Sequence, residues 1–354
     1  MSRTINKAIE LIFDLIKIKL DFNTTGVTEQ ELSYDRWVYG NQDDTEWLAK
    51  CLIKEFIVIN NELKVGLIEF NGNNYFFVTG LDNPNHLPIG VSFFPLNPGL
   101  FVAIISDLEI SVKKDISDLY IEQNILSQSK NDIGYKGHDY NDLIRIFPSI
   151  SIFKIDNNYI GDYTNTRSYV RQFFCLYLSF NNKYLPLDFS QNTLLEINRF
   201  SSINSQILNY DNIIQALLSS HYKFTFLDIY RCVELLYQVV YIDEMHQKLT
   251  ITNSKLDLLE NIDNVLKWKP NERNTIQKIF NDTNSVYKTL LINNVKNITS
   301  HKQNISDWIY DLRCSIVHLK PNHKHIDLSP TQWDGIIGGL VKILIFWYTR
   351  YNSF

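Results

Sequence analysis

Several residue types are scarce in this sequence, and each shortage excludes a class of protein. Only 4 of the 354 residues are cysteines, Cys51, Cys175, Cys232 and Cys314, and no two of them form a Cys-x-x-Cys pair. A zinc ribbon or a disulfide-bonded scaffold is therefore not expected, and a reducing compartment fits. The 13 glycines and 9 prolines are too few for a fibrous or linker-rich chain.

Long apolar runs and targeting segments are also missing. The most apolar stretch, 335–348, contains Lys342 and is shorter than the roughly 20 residues that a membrane-spanning helix requires. Residues 2–20 mix charged and apolar side chains at helical spacing, whereas a secretory signal peptide needs an uninterrupted apolar core. The sequence therefore predicts a cytoplasmic protein that does not enter a membrane.

No standard cofactor or catalytic signature occurs in the chain. The sequence has no Gly-x-Gly-x-x-Gly fingerprint, no phosphate-binding Gly-x-x-x-x-Gly-Lys-Ser/Thr loop, no His-Glu-x-x-His and no Gly-x-Ser-x-Gly. His318, His323, His325 and Asp327 are close in sequence, but their spacing matches no standard metal site, and a solvated polar loop is the preferred interpretation. Neither a metal nor a cofactor is predicted.

The chain divides into a β-rich part and a helical part. One amphipathic helix is predicted over 5–20. β-branched and aromatic runs, separated by turns rich in Asn and Gly, predict strands, while 169–180 fits either a strand or a buried helix. The predicted strands lie within 55–81, 89–106, 149–155 and 159–163. Strands followed by helices are typical of an α+β protein, so we expect a β-rich α+β domain over 1–200 and an all-α domain over 201–354.

After residue 200 the apolar residues recur at helical spacing. Six helices are predicted, and polar residues that suit an N-cap mark several of the starts. They lie around 213–218, from Thr225 onward, from Ser254 to before Pro270, over 271–295, from Asn304 or Ser306 to before Pro321, and over 331–351. This part has a net charge of +2, against −7 before Ser201, so it is the part better suited to a polyanion.

The segment 305–321 carries the strongest chemical signal. At about 100° per residue, five apolar residues lie within about 40° of one line, which predicts the buried face of a helix. They are Ile305, Ile309, Leu312, Ile316 and Leu319. Arg313 lies about 80° from that line, and His318 lies about 140° from it on the other side. An arginine and a protonatable histidine suit a phosphodiester, because the guanidinium stabilises charge on the phosphoryl oxygens and the imidazole transfers protons.

One helix alone does not bring these two side chains together. Five positions on a continuous helix separate Arg313 and His318 by about 140° and roughly 7.5 Å. Two arrangements remain open. A two-fold dimer would bring the helix against its own copy, so that both pairs line one cleft. Alternatively, Pro321 would loosen the last turn by disfavouring helical geometry at Lys320.

The run Arg313-Cys-Ser-Ile-Val-His318 resembles the R-x4-6-H motif of the HEPN superfamily (higher eukaryotes and prokaryotes nucleotide-binding domains). The upstream run 226–237 is similar to the early helix of that family, and the resemblance covers about 205–354. It implies an all-α domain of a kind that often acts as a metal-independent endoribonuclease. Such domains occur in toxin–antitoxin, abortive-infection and CRISPR-associated systems.

The resemblance also implies the chemistry and its residues. The ribose 2′-OH would attack the adjacent phosphorus and leave a 2′,3′-cyclic phosphate and a 5′-OH. His318 would act as general acid or base, and Arg313 would stabilise the phosphorane. The early family helix often carries an acidic or polar residue facing the site, for which Glu234 and Asp228 are the candidates. Cys314 stands where catalytic members usually have Asn, Asp or His.

The expected partner is RNA, with Lys320 and Lys324 as candidate contacts to its phosphates. The resemblance further implies a role in microbial anti-phage defence and a homodimer formed through the C-terminal helices. The N-terminal region is interpreted as a sensor or regulatory module, whose trigger would be a phage protein or an RNA feature.

Plainer interpretations stand beside these. Arg313 would form a surface ion pair with Asp311 or another helix, and His318 would cap the end of its helix. Glu234 would be a surface charge or a partner of Arg231, and Cys314 would be a packing residue. Lys320 and Lys324 would lie in a solvated loop. Two other functions also remain open. One is a catalytically silent HEPN domain that binds nucleotide, nucleic acid or a partner protein. The other is an interaction scaffold that binds no nucleic acid.

Overall fold

The computed structural model describes residues 4–20, 36–156, 166–250, 252, 254–296, 298, 304–318 and 327–351. The chain forms two compact units, Met1–Val170 and Arg171–Phe354. The predicted α+β class is confirmed, because the first unit contains an antiparallel sheet and the described residues of the second form helices. The boundary between the units falls inside the helix Thr166–Phe180, upstream of the predicted division after residue 200.

The first unit is built on a five-stranded sheet whose strand order is β1-β2-β3-β5-β4, with every pair antiparallel. The strands are β1 (Leu52–Val58), β2 (Lys64–Phe70), β3 (Asn73–Thr79), β4 (Val91–Phe94) and β5 (Ile150–Ile155). Asn71 and Gly72 join β2 to β3 with φ values of 48° and 75°. Asparagine and glycine suit this tight hairpin turn, because they tolerate positive φ better than other residues. The strand predicted over 159–163 lies outside the described residues.

Strand β1 forms one edge of the sheet, since among the described strands it pairs with β2 alone. Three of its apolar side chains are open to solvent, with Leu52, Phe56 and Val58 exposed by 52%, 44% and 57%. Lys54 lies between them in sequence and forms an ion pair with Glu69 of β2 at 2.6 Å. The edge is therefore apolar except for a few charged side chains.

Helices cover one face of this sheet. They include α1 (Ile5–Lys19), which was predicted over 5–20, α2 (Gln42–Lys50), α3 (Pro98–Asp107), α4 (Asp118–Ile121) and α5 (Tyr140–Ile146). Every residue of α3 from Gly99 to Ser106 is buried, so this helix lies at the centre of the core.

The extended interpretation of 89–106 is wrong beyond β4. Residues from Pro98 onward form α3, because the side chain of Asn97 accepts a hydrogen bond from the Leu100 N–H at 2.8 Å and Pro98 occupies the first helical position. Asparagine at the N-cap and proline next to it are a helix-start signal, which overrides the β-branched composition that follows.

The second unit is a bundle of helices. They are α6 (Thr166–Phe180), α7 (Gln191–Ser201), α8 (Tyr210–Leu218), α9 (Tyr222–Lys248), α10 (Lys255–Leu266), α11 (Glu272–Asp282), α12 (Ser285–Lys296), α13 (Ile305–Val317) and α14 (Pro330–Arg350). The segment 169–180, which fitted a strand or a helix, is helical. Among the described helices, none is long and apolar enough to cross a membrane.

Helix α14 is central to the bundle and packs against α7, α9 and α12. Two adjacent glycines permit the closest approaches. A Cβ on Gly338 would lie 2.6 Å from the Thr193 hydroxyl of α7, and a Cβ on Gly339 would lie 2.7 Å from the Cα of Leu291 in α12. A side chain at Gly339 would force the two helix backbones apart, so the packing itself requires glycine there.

Two predicted helix starts are confirmed, because Ser254 and Asn304 are the N-caps of α10 and α13. The predicted start of α9 at Thr225 is wrong, since the helix begins at Tyr222. The hydroxyl of Thr225 donates to the carbonyl of Ala216 in α8 at 3.0 Å. A residue that looked like a cap therefore links two neighbouring helices.

The single helix predicted over 271–295 is two helices, α11 and α12. The break lies at the buried Thr283, whose hydroxyl donates to the Ile279 carbonyl at 2.7 Å and accepts from the indole N–H of Trp347 at 2.9 Å. These bonds give partners to the buried hydroxyl of Thr283 and to the indole N–H of Trp347.

Candidate functional site

The candidate site is built around α13, which carries the Arg-x4-His run. Ile309 and Leu312 are fully buried, while Ile305 and Ile316 are half-buried. The predicted apolar face is thereby confirmed for these four residues, and Leu319 lies outside the described residues. The apolar face fixes the rotation of the helix and so decides where its polar side chains point.

Helix α11 is joined to the exposed side of α13 by the side chains of Arg273 and Gln277. Arg273 donates to Asp307 at 3.0 Å and to Asp311 at 2.5 Å, and its guanidinium lies 4.7 Å from the centre of the Tyr310 ring. Gln277 adds a hydrogen bond to Asp307 at 2.9 Å. These contacts fix the first turn of α11 next to the middle of α13.

Arg313 reaches across from α13 to α9. Its Nε and Nη2 both donate to Oε1 of Glu234, at 3.1 and 2.7 Å, and its Nη1 lies 3.9 Å from Oε2 of Glu272 at the start of α11. The Arg313 side chain is only 17% exposed. Burial lowers the pKa of the guanidinium, but the hydrogen bonds and charge of Glu234 and the charge of Glu272 outweigh burial and raise it, so Arg313 stays charged.

Two tyrosines of α9 lie close to the guanidinium of Arg313. The guanidinium of Arg313 is 6.0 Å from the centre of the Tyr230 ring, and the hydroxyls of Tyr230 and Tyr237 are 2.7 Å apart. Burial is the main cause that raises the pKa of both phenols. Both are therefore neutral hydroxyl groups that supply hydrogen bonds without adding charge.

Tyr310 completes the group from α13. Burial first, and then the neighbouring Cys314 and Glu272, raise the pKa of Tyr310 to about 12. The phenol is therefore protonated at neutral pH. Cys314, the residue after Arg313, is a half-buried free cysteine.

We call Tyr230, Glu234, Glu272, Tyr310 and Arg313 the arginine cluster. It joins three helices, α9, α11 and α13, and it holds one cation and two carboxylates. The guanidinium is the group in it that can bind an anion, and its surroundings keep that group charged at any physiological pH. Within the part of the chain that the structure describes, no set of three or more His, Cys, Asp or Glu side chains is arranged to hold a metal ion.

His318 lies at the exposed end of the same helix. It is the C-cap of α13, its backbone N–H donates to the Cys314 carbonyl at 2.9 Å, and its φ and ψ of −110° and 101° are extended. The chain therefore leaves the helix at His318, one turn beyond the cluster. Lys320 and Lys324 lie outside the described residues, as do His323 and His325.

The two acidic candidates of α9 have different surroundings. Glu234 binds Arg313, while Asp228 pairs with Arg231 three residues later on the same helix. Burial raises the pKa of Asp228, and the charge of Arg231 opposes that effect. Of the two, Glu234 is thus the residue that belongs to the cluster, and Arg313 has its ion pair with another helix and not with Asp311.

Sequence reasoning did not single out Glu272, Arg273, Tyr310 or Tyr230 as members of a site. Glu272 and Arg273 reach α13 through side-chain contacts across more than thirty positions of sequence. The one local signal is the aromatic Tyr310 one turn before Arg313, which a spacing argument would have placed on the same side of the helix.

No family model matches the chain, and neither the search of curated proteins nor the search of solved structures found a match.

Proposed function

We propose that this chain is a metal-independent endoribonuclease of HEPN type that acts in microbial anti-phage defence. The observation that carries the proposal is the contact between Arg313 of α13 and Glu234 of α9. It joins the two runs of sequence that resemble the family, and it does so through the arginine of the motif and an acidic residue of the early helix. The Arg-x4-His run also ends a helix, as the proposed role requires.

The proposed reaction assigns one task to each residue. His318, exposed at the end of α13, would take the proton from the ribose 2′-OH or give one to the departing 5′-oxygen. The bond from the 2′-oxygen to phosphorus forms while the bond from phosphorus to the 5′-oxygen breaks. Arg313 would stabilise the extra negative charge of the phosphorane, which its permanently charged guanidinium suits. The products are a 2′,3′-cyclic phosphate and a 5′-OH.

A second copy of the chain has a role in this proposal. Arg313 is drawn toward α9 by Glu234, whereas His318 lies at the exposed end of α13. A two-fold dimer through the C-terminal helices would place the His318 of one protomer near the Arg313 of its partner. The first unit, with its own sheet and core, would then act as the sensor for a phage-derived or RNA trigger.

The test compares the wild type with His318→Ala in a bacterial host, with and without phage challenge. Growth, total RNA integrity and the chemistry of the RNA 3′ ends are measured. The proposal expects arrest or phage resistance with fragmented RNA for the wild type only. His86→Ala is the matched control, because His86 is an exposed histidine of the first unit. Equal behaviour of the wild type and His318→Ala would refute catalysis by this histidine.

A catalytically silent domain that binds RNA or nucleotide is the second candidate. Two of the donors of Arg313 are already taken by Glu234, and Cys314 follows the arginine. This candidate expects RNA to be retained at low salt and lost as salt rises, with the RNA left intact by the wild type under every trigger.

A further inference from the structure

Arg313 has one edge that is not hydrogen-bonded to Glu234. Glu234 takes Nε and Nη2 through a single carboxylate oxygen, and the remaining nitrogen, Nη1, faces Oε2 of Glu272 across 3.9 Å. That separation is an ion pair without a hydrogen bond, since N–H···O bonds between charged groups are about 2.7–2.9 Å long. The Nη1 edge of the guanidinium therefore faces the Glu272 carboxylate without a hydrogen bond to it, and the thiol of Cys314 lies beside the same guanidinium.

Glu272 has a backbone that is held at a helix start and a side chain that is partly exposed. It is the first residue of α11, where the Asn271 side chain caps the helix. The next residue, Arg273, is bound to Asp307 and Asp311 of α13. The Glu272 side chain is 47% exposed, and its carboxylate also interacts with the phenol of Tyr310, so an anion that displaces it into solvent breaks that contact as well as the ion pair with Arg313.

The net charge of the arginine cluster makes the Glu272 carboxylate important for anion binding. The arginine cluster holds one cation and two carboxylates, so its net charge is negative and it repels a phosphate. A phosphate that binds the Nη1 edge of Arg313 must take the place of the Glu272 carboxylate. Glu234 cannot be displaced at comparable cost, because it makes two hydrogen bonds to Arg313 and is less exposed, at 32%.

We propose that Glu272 is a charge gate: its carboxylate occupies the phosphate-binding edge of Arg313, and single-stranded RNA binds by displacing it. This inference rests on the proposed function, because it assigns the anion at Arg313 to an RNA phosphate. Glu234, by contrast, is a positioning residue that holds the guanidinium in place from the opposite edge.

The test measures the dissociation constant of a short fluorescein-labelled single-stranded RNA at low ionic strength. All proteins are the full chain and carry His318→Ala, so that the RNA stays intact. Glu272→Gln keeps the size of the side chain and removes its charge. It is expected to bind RNA about tenfold more tightly than the parent. Glu260→Gln removes one exposed charge from α10 and is expected to stay within about twofold.

A second arm ties the effect to the arginine. In an Arg313→Ala background, Glu272→Gln is expected to give no gain, because the edge that it frees has been removed. Glu272→Ala removes the polar group altogether and so tests whether the amide of the Gln variant still blocks the Nη1 edge of Arg313. Thermal unfolding of each variant, followed by circular dichroism, verifies that the fold is retained.

The outcomes separate this proposal from the one that it rests on. If the protein with His318 intact cleaves RNA but Glu272→Gln binds it no more tightly than Glu260→Gln, the gate is refuted and the nuclease stands. A gain that persists without Arg313 refutes the gate as well. If none of the variants binds RNA at low salt, the proposed function fails and the gate fails with it.

Discussion

Lowering the pH is expected to destabilise the first unit through one buried histidine. His138 is 4% exposed, its Nε2 has no hydrogen-bond partner among the residues that the structure describes, and its ring packs against Phe13 and Tyr135 at centroid distances of 5.3 and 5.4 Å. Burial, together with the nearby charge of Arg36, lowers the pKa of His138 from 6.5 to about 4. The folded unit therefore holds this imidazole in its neutral form.

The direction and size of the effect follow from proton linkage. The unfolded chain takes up the proton near pH 6.5, while the folded chain resists it down to about pH 4. The stability that the neutral ring provides is thus complete above pH 6.5 and is lost as the pH falls toward 4. At about 1.4 kcal/mol per pKa unit, the loss is about 3 kcal/mol, which is a large share of the stability of a typical domain.

Pulse proteolysis in urea, with peptides of β2 and β3 quantified by mass spectrometry, measures the unfolding free energy of this unit at each pH. His138→Phe keeps an aromatic ring between Phe13 and Tyr135 and cannot take up a proton. The wild type is expected to lose about 3 kcal/mol more than this variant between pH 7 and pH 4. The exposed His86→Phe serves as the control. Parallel pH profiles for the wild type and His138→Phe would refute the reasoning.

Three further predictions concern the second unit. Gly339→Ala places a Cβ against the backbone of Leu291 and is expected to cost about 1–3 kcal/mol in urea unfolding, whereas Gly335→Ala meets only the side chain of Asn294 and should cost less. Asp243→Asn removes a carboxylate that is 6% exposed and that binds Lys255 at 2.7 Å and Arg350 at 3.3 Å. It is expected to lower the free energy of unfolding by about 3 kcal/mol, whereas Asp263→Asn at an exposed position is expected to leave it unchanged. Arg313→Lys keeps the charge but not the planar donor edges, so RNA cleavage should fall about 100-fold in a gel assay, and unchanged cleavage would contradict a role for the guanidinium geometry.

Periodicity and capping residues in the sequence predicted much of the fold. The helices capped by Ser254 and Asn304, and the strands on either side of Asn71 and Gly72, follow local rules that act over a few residues. The break at Thr283 combines local and distant contacts, because the Asn284 side chain accepts from the Val286 N–H at the start of α12 while the Thr283 hydroxyl accepts from the indole of Trp347 in a distant helix. Helix α3 was also not predicted, because the β-branched composition of 89–106 outweighed the short helix-start signal of Asn97 and Pro98.

The candidate site likewise contains residues that a sequence signal indicated and residues that only tertiary contacts bring to it. The resemblance made Glu234 and Asp228 the candidates to face the site, and of these two it is Glu234 that contacts Arg313. Glu272 carried no local signal, because its importance comes from a tertiary contact at the first turn of α11. A sequence can indicate which side chain carries a positive charge, but the carboxylates that surround that charge depend on how the helices pack.

The edge strand β1 affects how growth arrest in the cellular test should be interpreted. A strand that pairs with β2 alone among the described strands, and that exposes Leu52, Phe56 and Val58, is a template for pairing with other chains at high concentration. Overproduction could slow growth through such assemblies with no RNA cut. His318→Ala leaves β1 untouched, so toxicity from strand pairing would be equal in both proteins. Replacing Phe56 with Lys would lower that background and leave the helical unit, with its arginine cluster, unchanged.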